Sequence, residues 1–141
     1  MKLRTFPGGV HPPEAKHYTE KKNIVKAAEP QTVVIPLHQH VGSQCEPLVK
    51  KGDAVKVGQR IGEAQGFVSS PVHSSVSGKV VGVETHPHPL GKDVLSVIIE
   101  SDGQEEWSEE IKKPAPLEEL SPKDILNIVQ QAGIVGMGGA G

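Results

Sequence analysis

The residues of this 141-residue chain that could do chemistry fall into four groups. The first is the run "GIVGMGGAG", in which Gly136, Gly138, Gly139 and Gly141 follow a segment of helical character. Glycines placed after a helix let backbone amides approach a ligand closely, most often a phosphate. The run is neither a G-x-G-x-x-G entered from a strand nor a Walker loop with its Lys-Ser/Thr, so spacing alone leaves a phosphate cradle and a flexible tail both open. The second group is the histidines. His38 and His40 of "LHQH" would share one face of a strand, which suits a metal ion, but no Asp, Glu or Cys stands at a matching spacing. They read as surface or turn histidines, and no metal site is assigned. His88, with proline on both sides, reads as part of a rigid turn, and His73 as a partly buried turn residue. The third group is Cys45 alone, with no patterned base nearby to activate it. The fourth is the carboxylates of "DGQEEWSEE", which lie in a linker-like stretch, whereas acid–base work needs fixed and partly desolvated groups. No catalytic residue is assigned.

Composition narrows the classes further. A net charge of −2 gives no footprint for nucleic acid or anionic lipid. A single cysteine excludes an intramolecular disulfide and a self-contained iron–sulfur site, which needs about four. No apolar run nears the roughly 20 residues of a spanning helix, and the first residues lack a signal-peptide stretch. The chain reads as soluble and cytosolic, reaching a membrane only through partners. With four aromatic residues, 16 Gly and 12 Pro, its core must come from Val, Ile, Leu and Ala in short strands joined by turns.

The elements that would position these residues follow from punctuation and period. Residues 1–31 form a basic, proline-broken arm expected to lie along the domain surface. Residues 32–100 carry β-branched runs bounded by Gly, Pro or Asp: "TVVIPL", "EPLVKKGDAVKVGQRIGEA", "SSVSGKVVGVET" and "DVLSVIIES". Residues 101–120 have the charge and proline content of a linker, with Trp107 expected to pack it onto a neighbouring surface. Residues 121–133 form the one convincing helix. Ser121 is its N-cap, Pro122 its first residue, Asp124 completes a capping box and Gly133 closes it. Ile125, Leu126, Ile128 and Val129 share a face that needs a partner surface.

"LVKKGDAVKVGQRIGEA" resembles biotinyl and lipoyl carrier domains, in which Gly-Asp and Gly-Gln turns connect short strands. "SPVHSSVSGKVVGVE", with Gly78 at the turn before Val80, matches the segment opening their second half. The resemblance implies a mainly β, barrel-sandwich hybrid fold. A swinging-arm function fails on chemistry: an amide to biotin or lipoate needs an amine, and no lysine occurs between Lys56 and Lys79. Phe67 or Val68 stands about where that lysine would be. A carrier-like or adaptor domain without a redox role is the alternative reading.

"AGIVGMGGAG" is similar to the FMN- and NADH-binding loop of the flavoprotein subunit of respiratory complex I. "FPGGVHPPEAK" (6–16) and the β-rich segment resemble the N-terminal part of the RnfC family, the C subunit of the Rnf electron-transport complex, an ion-translocating ferredoxin:NAD oxidoreductase. A sodium-pumping quinone reductase subunit shares the domain type, but the glycine loop is not expected there in this form. The resemblance implies a structural and docking domain (32–100) and, in 121–141, the threshold of an FMN/NADH-binding domain. Gly136, Gly138, Gly139 and Gly141 would let main-chain amides approach flavin phosphate and dinucleotide. FMN, NAD(H) and two 4Fe-4S clusters are implied for the full-length protein, with none expected on these 141 residues alone. Implied partners are the parent's further domains and the membrane-embedded and ferredoxin-type subunits of the complex, on the cytoplasmic side of the membrane, with no nucleic acid.

Overall fold

The computed structural model describes residue 8, residues 12–113 and residues 115–136. Seven strands form two sheets. β1 (Thr32–Pro36), β3 (Ala54–Val55), β6 (Gly78–His88) and β7 (Lys92–Ser101) make one sheet in the order β1-β7-β6-β3. β2 (Glu46–Pro47), β4 (Arg60–Glu63) and β5 (Val72–His73) make the other in the order β2-β4-β5. All pairings are antiparallel. Alternate residues of the strands turn inward, and Ile35, Leu37, Val55, Ile61, Val72, Val80, Val97 and Ile99 meet in one core. This is the mainly β, carrier-like architecture that the resemblance implies.

Two turns of the same construction set the register between the sheets. Gly52 has φ +102° and Gly58 has φ +75°, the positive values a type II turn demands at its third position. In the first, Asp53 N donates to Lys50 O and Lys50 N donates to Asp53 Oδ2. In the second, Gln59 N donates to Lys56 O and Lys56 N donates to Gln59 Oε1. Each polar side chain closes its own turn, which leaves Val55 and Ile61 buried on either side.

The β6–β7 hairpin departs from the sequence reading. Gly78 is not in a turn but is the first residue of β6, paired with both Val55 and Ser101. The Glu100 carbonyl occupies the space a Cβ would need there, so close strand approach selects glycine. His88 is both the last residue of β6, paired with Lys92, and the residue that opens the tight turn expected there, accepting from Gly91 N at its carbonyl. Pro87 is tolerated in the strand because β3 covers only the start of β6, leaving its far end with one neighbour. His73 is likewise a strand residue. Among the described arm residues the only regular element is a 3-10 turn at Lys16–Tyr18, and that turn buries nothing.

The linker-like stretch is held against the barrel over its first part. Ser77 Oγ donates to Asp102 Oδ1 at 2.7 Å and accepts from Glu106 N. Lys56 Nζ lies 2.7 Å from Glu106 Oε1. Val57 and Trp107 form a parallel bridge through Val57 N to Glu106 O and Ser108 N to Val57 O. Helix α1 (Pro122–Gln131) follows. Its capping box is complete, Ser121 N donating to Asp124 Oδ2 at 2.9 Å and Asp124 N to Ser121 Oγ at 3.2 Å.

Candidate functional site

The last turn of helix α1 lies against β4 and the residues leading into β5. Three contacts fix its last turn. Arg60 on β4 donates through Nη2 to Gln131 Oε1 at 2.7 Å, and Ser70 Oγ donates to the Gln130 carbonyl at 3.1 Å. Gly133 has φ +71° and sits so close to β5 that a Cβ would stand 2.6 Å from Pro71 O and 3.0 Å from His73 Nδ1. Gly133 therefore meets two demands at once, a left-handed helix end and close backbone approach.

The docked helix divides the surface into two clefts. The larger, about 590 Å³, lies between α1 and the 110–113 segment, lined by Gly58, Arg60, His73, Ile111, Ile128 and Ala132, with Glu110, Lys112 and Lys113 at its rim. Burial and the Arg60 guanidinium hold His73 below the ordinary imidazole range, with Glu110 opposing them. Arg60 in turn pairs with Glu63 at 3.3 Å. The smaller, about 360 Å³, lies between α1 and the 66–70 loop, where Phe67, Val68, Leu126, Val129 and Val135 surround Gly136. The apolar face of the helix is thus shared between two open clefts, and none of its residues is buried.

Of the glycines singled out in the sequence, Gly136 is exposed at the mouth of the smaller cleft, and Gly138, Gly139 and Gly141 lie outside the described residues. The described part of the loop does not by itself suit a phosphate. It leaves the C-terminal end of α1, where the helix dipole is negative, and no Lys or Arg lines the smaller cleft among the described residues. Any flavin or dinucleotide phosphate needs positive charge or a helix N-terminus from elsewhere.

His38 and His40 follow β1 rather than sharing a face of it, since that strand ends at Pro36. Their rings meet edge to face with centroids 6.1 Å apart. His40 is a structural link. Its Nε2 accepts from Ser70 N at 3.0 Å and its Nδ1 donates to Val41 O at 2.8 Å, which fixes the tautomer and ties the 38–45 loop to the smaller cleft. The Cys45 thiol donates to Ser70 O at 3.0 Å, and burial pushes its pKa up, so it stays a protonated core residue. Arg60, Gln131, Ser70 and Phe67 went unremarked or unassigned in the sequence. The only available signal was Phe67 standing in place of a carrier's lysine.

The family model described as RnfC barrel sandwich hybrid domain matches residues 4–104. The C subunit of the Na+-translocating ferredoxin:NAD+ oxidoreductase complex of Acetobacterium woodii is 49% identical over 140 residues, covering 99% of this chain and 32% of that protein. The C subunit of the proton-translocating ferredoxin:NAD+ oxidoreductase complex of Clostridium ljungdahlii is 47% identical over 138 residues, 98% of this chain and 30% of the relative. The C subunit of the ion-translocating oxidoreductase complex of Vibrio cholerae is 41% identical over 143 residues, 99% of this chain and 18% of the relative. The chain belongs to the RnfC barrel-sandwich hybrid family, and it spans about a third or less of the length of these relatives.

Proposed function

We propose that this sequence is the N-terminal barrel of the C subunit of an ion-translocating ferredoxin:NAD oxidoreductase, and that it docks and orients the domain that carries the redox chemistry. The observation that supports this reading is the pinned end of α1: Gly133, Gln130 and Gln131 anchor the helix to the barrel, so the glycine loop starts from a fixed point. The loop amides of Gly136, Gly138, Gly139 and Gly141 would line one side of an FMN and NADH site, and residues beyond them would supply the charge and the nicotinamide pocket. When bound, FMN would pass electrons between NADH and two 4Fe-4S clusters held elsewhere in the full-length protein. The barrel itself contributes position, with no group that gives or takes a proton in the reaction. The full-length protein would sit peripherally on the cytoplasmic side of the membrane, against membrane-embedded and ferredoxin-type partners. No helix of the described residues is long and apolar enough to cross a bilayer.

The test compares the full-length protein with the 141-residue chain. The full-length protein should bind FMN and reduce an artificial acceptor with NADH, and a Gly138→Val, Gly139→Val double variant should lose FMN. The short chain should show no quenching of Trp107 fluorescence by micromolar FMN or NADH. Micromolar binding by the short chain, or a full-length protein indifferent to the double variant, refutes the assignment.

A further inference from the structure

We propose that the smaller cleft, between the 66–70 loop and α1, is the seat of the polypeptide that follows the glycine loop in the full-length protein, so that the barrel and the next domain are locked together through it. The proposal rests on the reading that the full-length protein extends past this sequence, and it adds where the continuation binds. Phe67 is 98% exposed and belongs to a contiguous apolar patch, the kind of surface that marks an interaction site. Gly66, at φ +77°, sets the bend that presents it, and Val41 and Val68 flank it. Across the groove stand Leu126, 71% exposed, and Val129, and at its exit Ile134 and Val135.

The serine hydroxyls and the histidine ring in the groove already have partners. Ser69 Oγ donates to Ser43 O and accepts from Gln65 N, Ser70 Oγ donates to Gln130 O, and both nitrogens of His40 are bonded. No charged side chain of the described residues lines the groove. Such a surface offers an anionic headgroup no counter-charge among the described residues, whereas an apolar protein surface gains by covering its apolar part.

The occupant follows from where the chain leaves. Because α1 is pinned at Gln130, Gln131 and Gly133, Gly136 is held on the groove's lining, and polypeptide joined to it in a longer protein would meet the groove at an effective concentration that a separate partner lacks. In the Acetobacterium woodii relative about two thirds of the chain lies outside the matched region, enough for the domain required.

Hydroxyl-radical footprinting of the full-length protein, purified without its partners, reads the side chains directly. Native Phe67 and Leu126 should react clearly more slowly than in the unfolded protein, as the barrel-core residues Ile61 and Ile99 do. A Phe67→Asp, Val68→Asp double variant should restore Leu126 reactivity while Ile61 and Ile99 in the barrel core stay protected. Phe67 that reacts alike in both states overturns the proposal. So does protection that appears only at raised protein concentration, which would indicate a second copy, or only when other subunits are added. NADH-dependent acceptor reduction in the same preparation separates the two readings. Activity with an unprotected Phe67 removes the docking site and keeps the function, and protection without activity does the reverse.

Discussion

Replacing Gly133 with alanine should undock α1 without unfolding the barrel. Alanine in the left-handed region costs about 1–2 kcal/mol. Its Cβ would also stand 2.6 Å from Pro71 O and 3.0 Å from His73 Nδ1, and Pro71 immediately precedes the buried Val72 of β5, so the barrel side cannot yield. Against that strain, the last turn is held by three hydrogen bonds, Arg60–Gln131, Ser70–Gln130 and the longer Gln130–Ser69, together worth about 1.5–4.5 kcal/mol. The two quantities are of one size, so the docked population should fall steeply. The core, from Ile35 to Ile99, makes no contact that depends on residue 133, and its unfolding midpoint should hold. Gly133→Asn separates the causes. Asparagine tolerates the left-handed conformation but keeps the Cβ contact, so it should undock the helix too. Amide shifts of Ser70, His73 and Gln131, with protease cleavage within 109–121, read the docking. Variants that keep the wild-type shifts, or that lower barrel stability together with the helix in one transition, would refute the argument.

Two further perturbations probe the same connection. Ser121→Ala removes the acceptor for the Asp124 amide and should cost α1 about 1 kcal/mol, seen as faster amide exchange over 125–129 with β6 and β7 unchanged; unchanged exchange would mean the capping box does not hold the helix. His73 is kept below its ordinary value of about 6.5 by burial and Arg60, so the folded protein binds fewer protons than the unfolded one. Its contribution is therefore present above pH 6.5 and lost as pH falls below it. Glu110 opposes this, and Lys112 and Lys113 share the cleft. His73→Gln should flatten the stability profile below about pH 6.5, and an unaltered slope would exclude His73 as its source.

What the sequence disclosed was what short-range chemistry decides. The paired Gly-Asp and Gly-Gln turns close on their own side chains within four residues, and the Ser121–Asp124 box within another four. Pairing across the chain decided the rest. Prolines around His88 spell a turn locally, and His88 opens one, yet β7 also draws Thr85–His88 into a ten-pair hairpin ladder. Gly78 looks like a turn residue until two strands converge on it. The 102–108 stretch has a linker's composition, but Ser77, Lys56 and Val57 give it partners 25 to 51 residues away. The candidate site is of this second kind. Arg60 and Gln131 stand 71 positions apart, and nothing in either neighbourhood announces the other.

The loop tip shows how one scaffold changes its work without changing its turns. In a carrier domain the tip must be amine-bearing, solvated and free to swing, so nothing may gain by covering it. Here Phe67 or Val68 stands about where that amine would be, and fully burying a side chain such as Phe67 is worth about 1.5–3 kcal/mol. Leu126 and Val129 add to that on the facing helix, and the helix is itself pinned to the barrel a turn later. If the following domain covers the tip as proposed, the same place would serve as an adhesive, fixed end instead of a reactive, mobile one. Rigid attachment is what electron transfer through a neighbouring domain would ask of the barrel under the proposed function. A tip that swings would vary the distances that such a domain must keep constant.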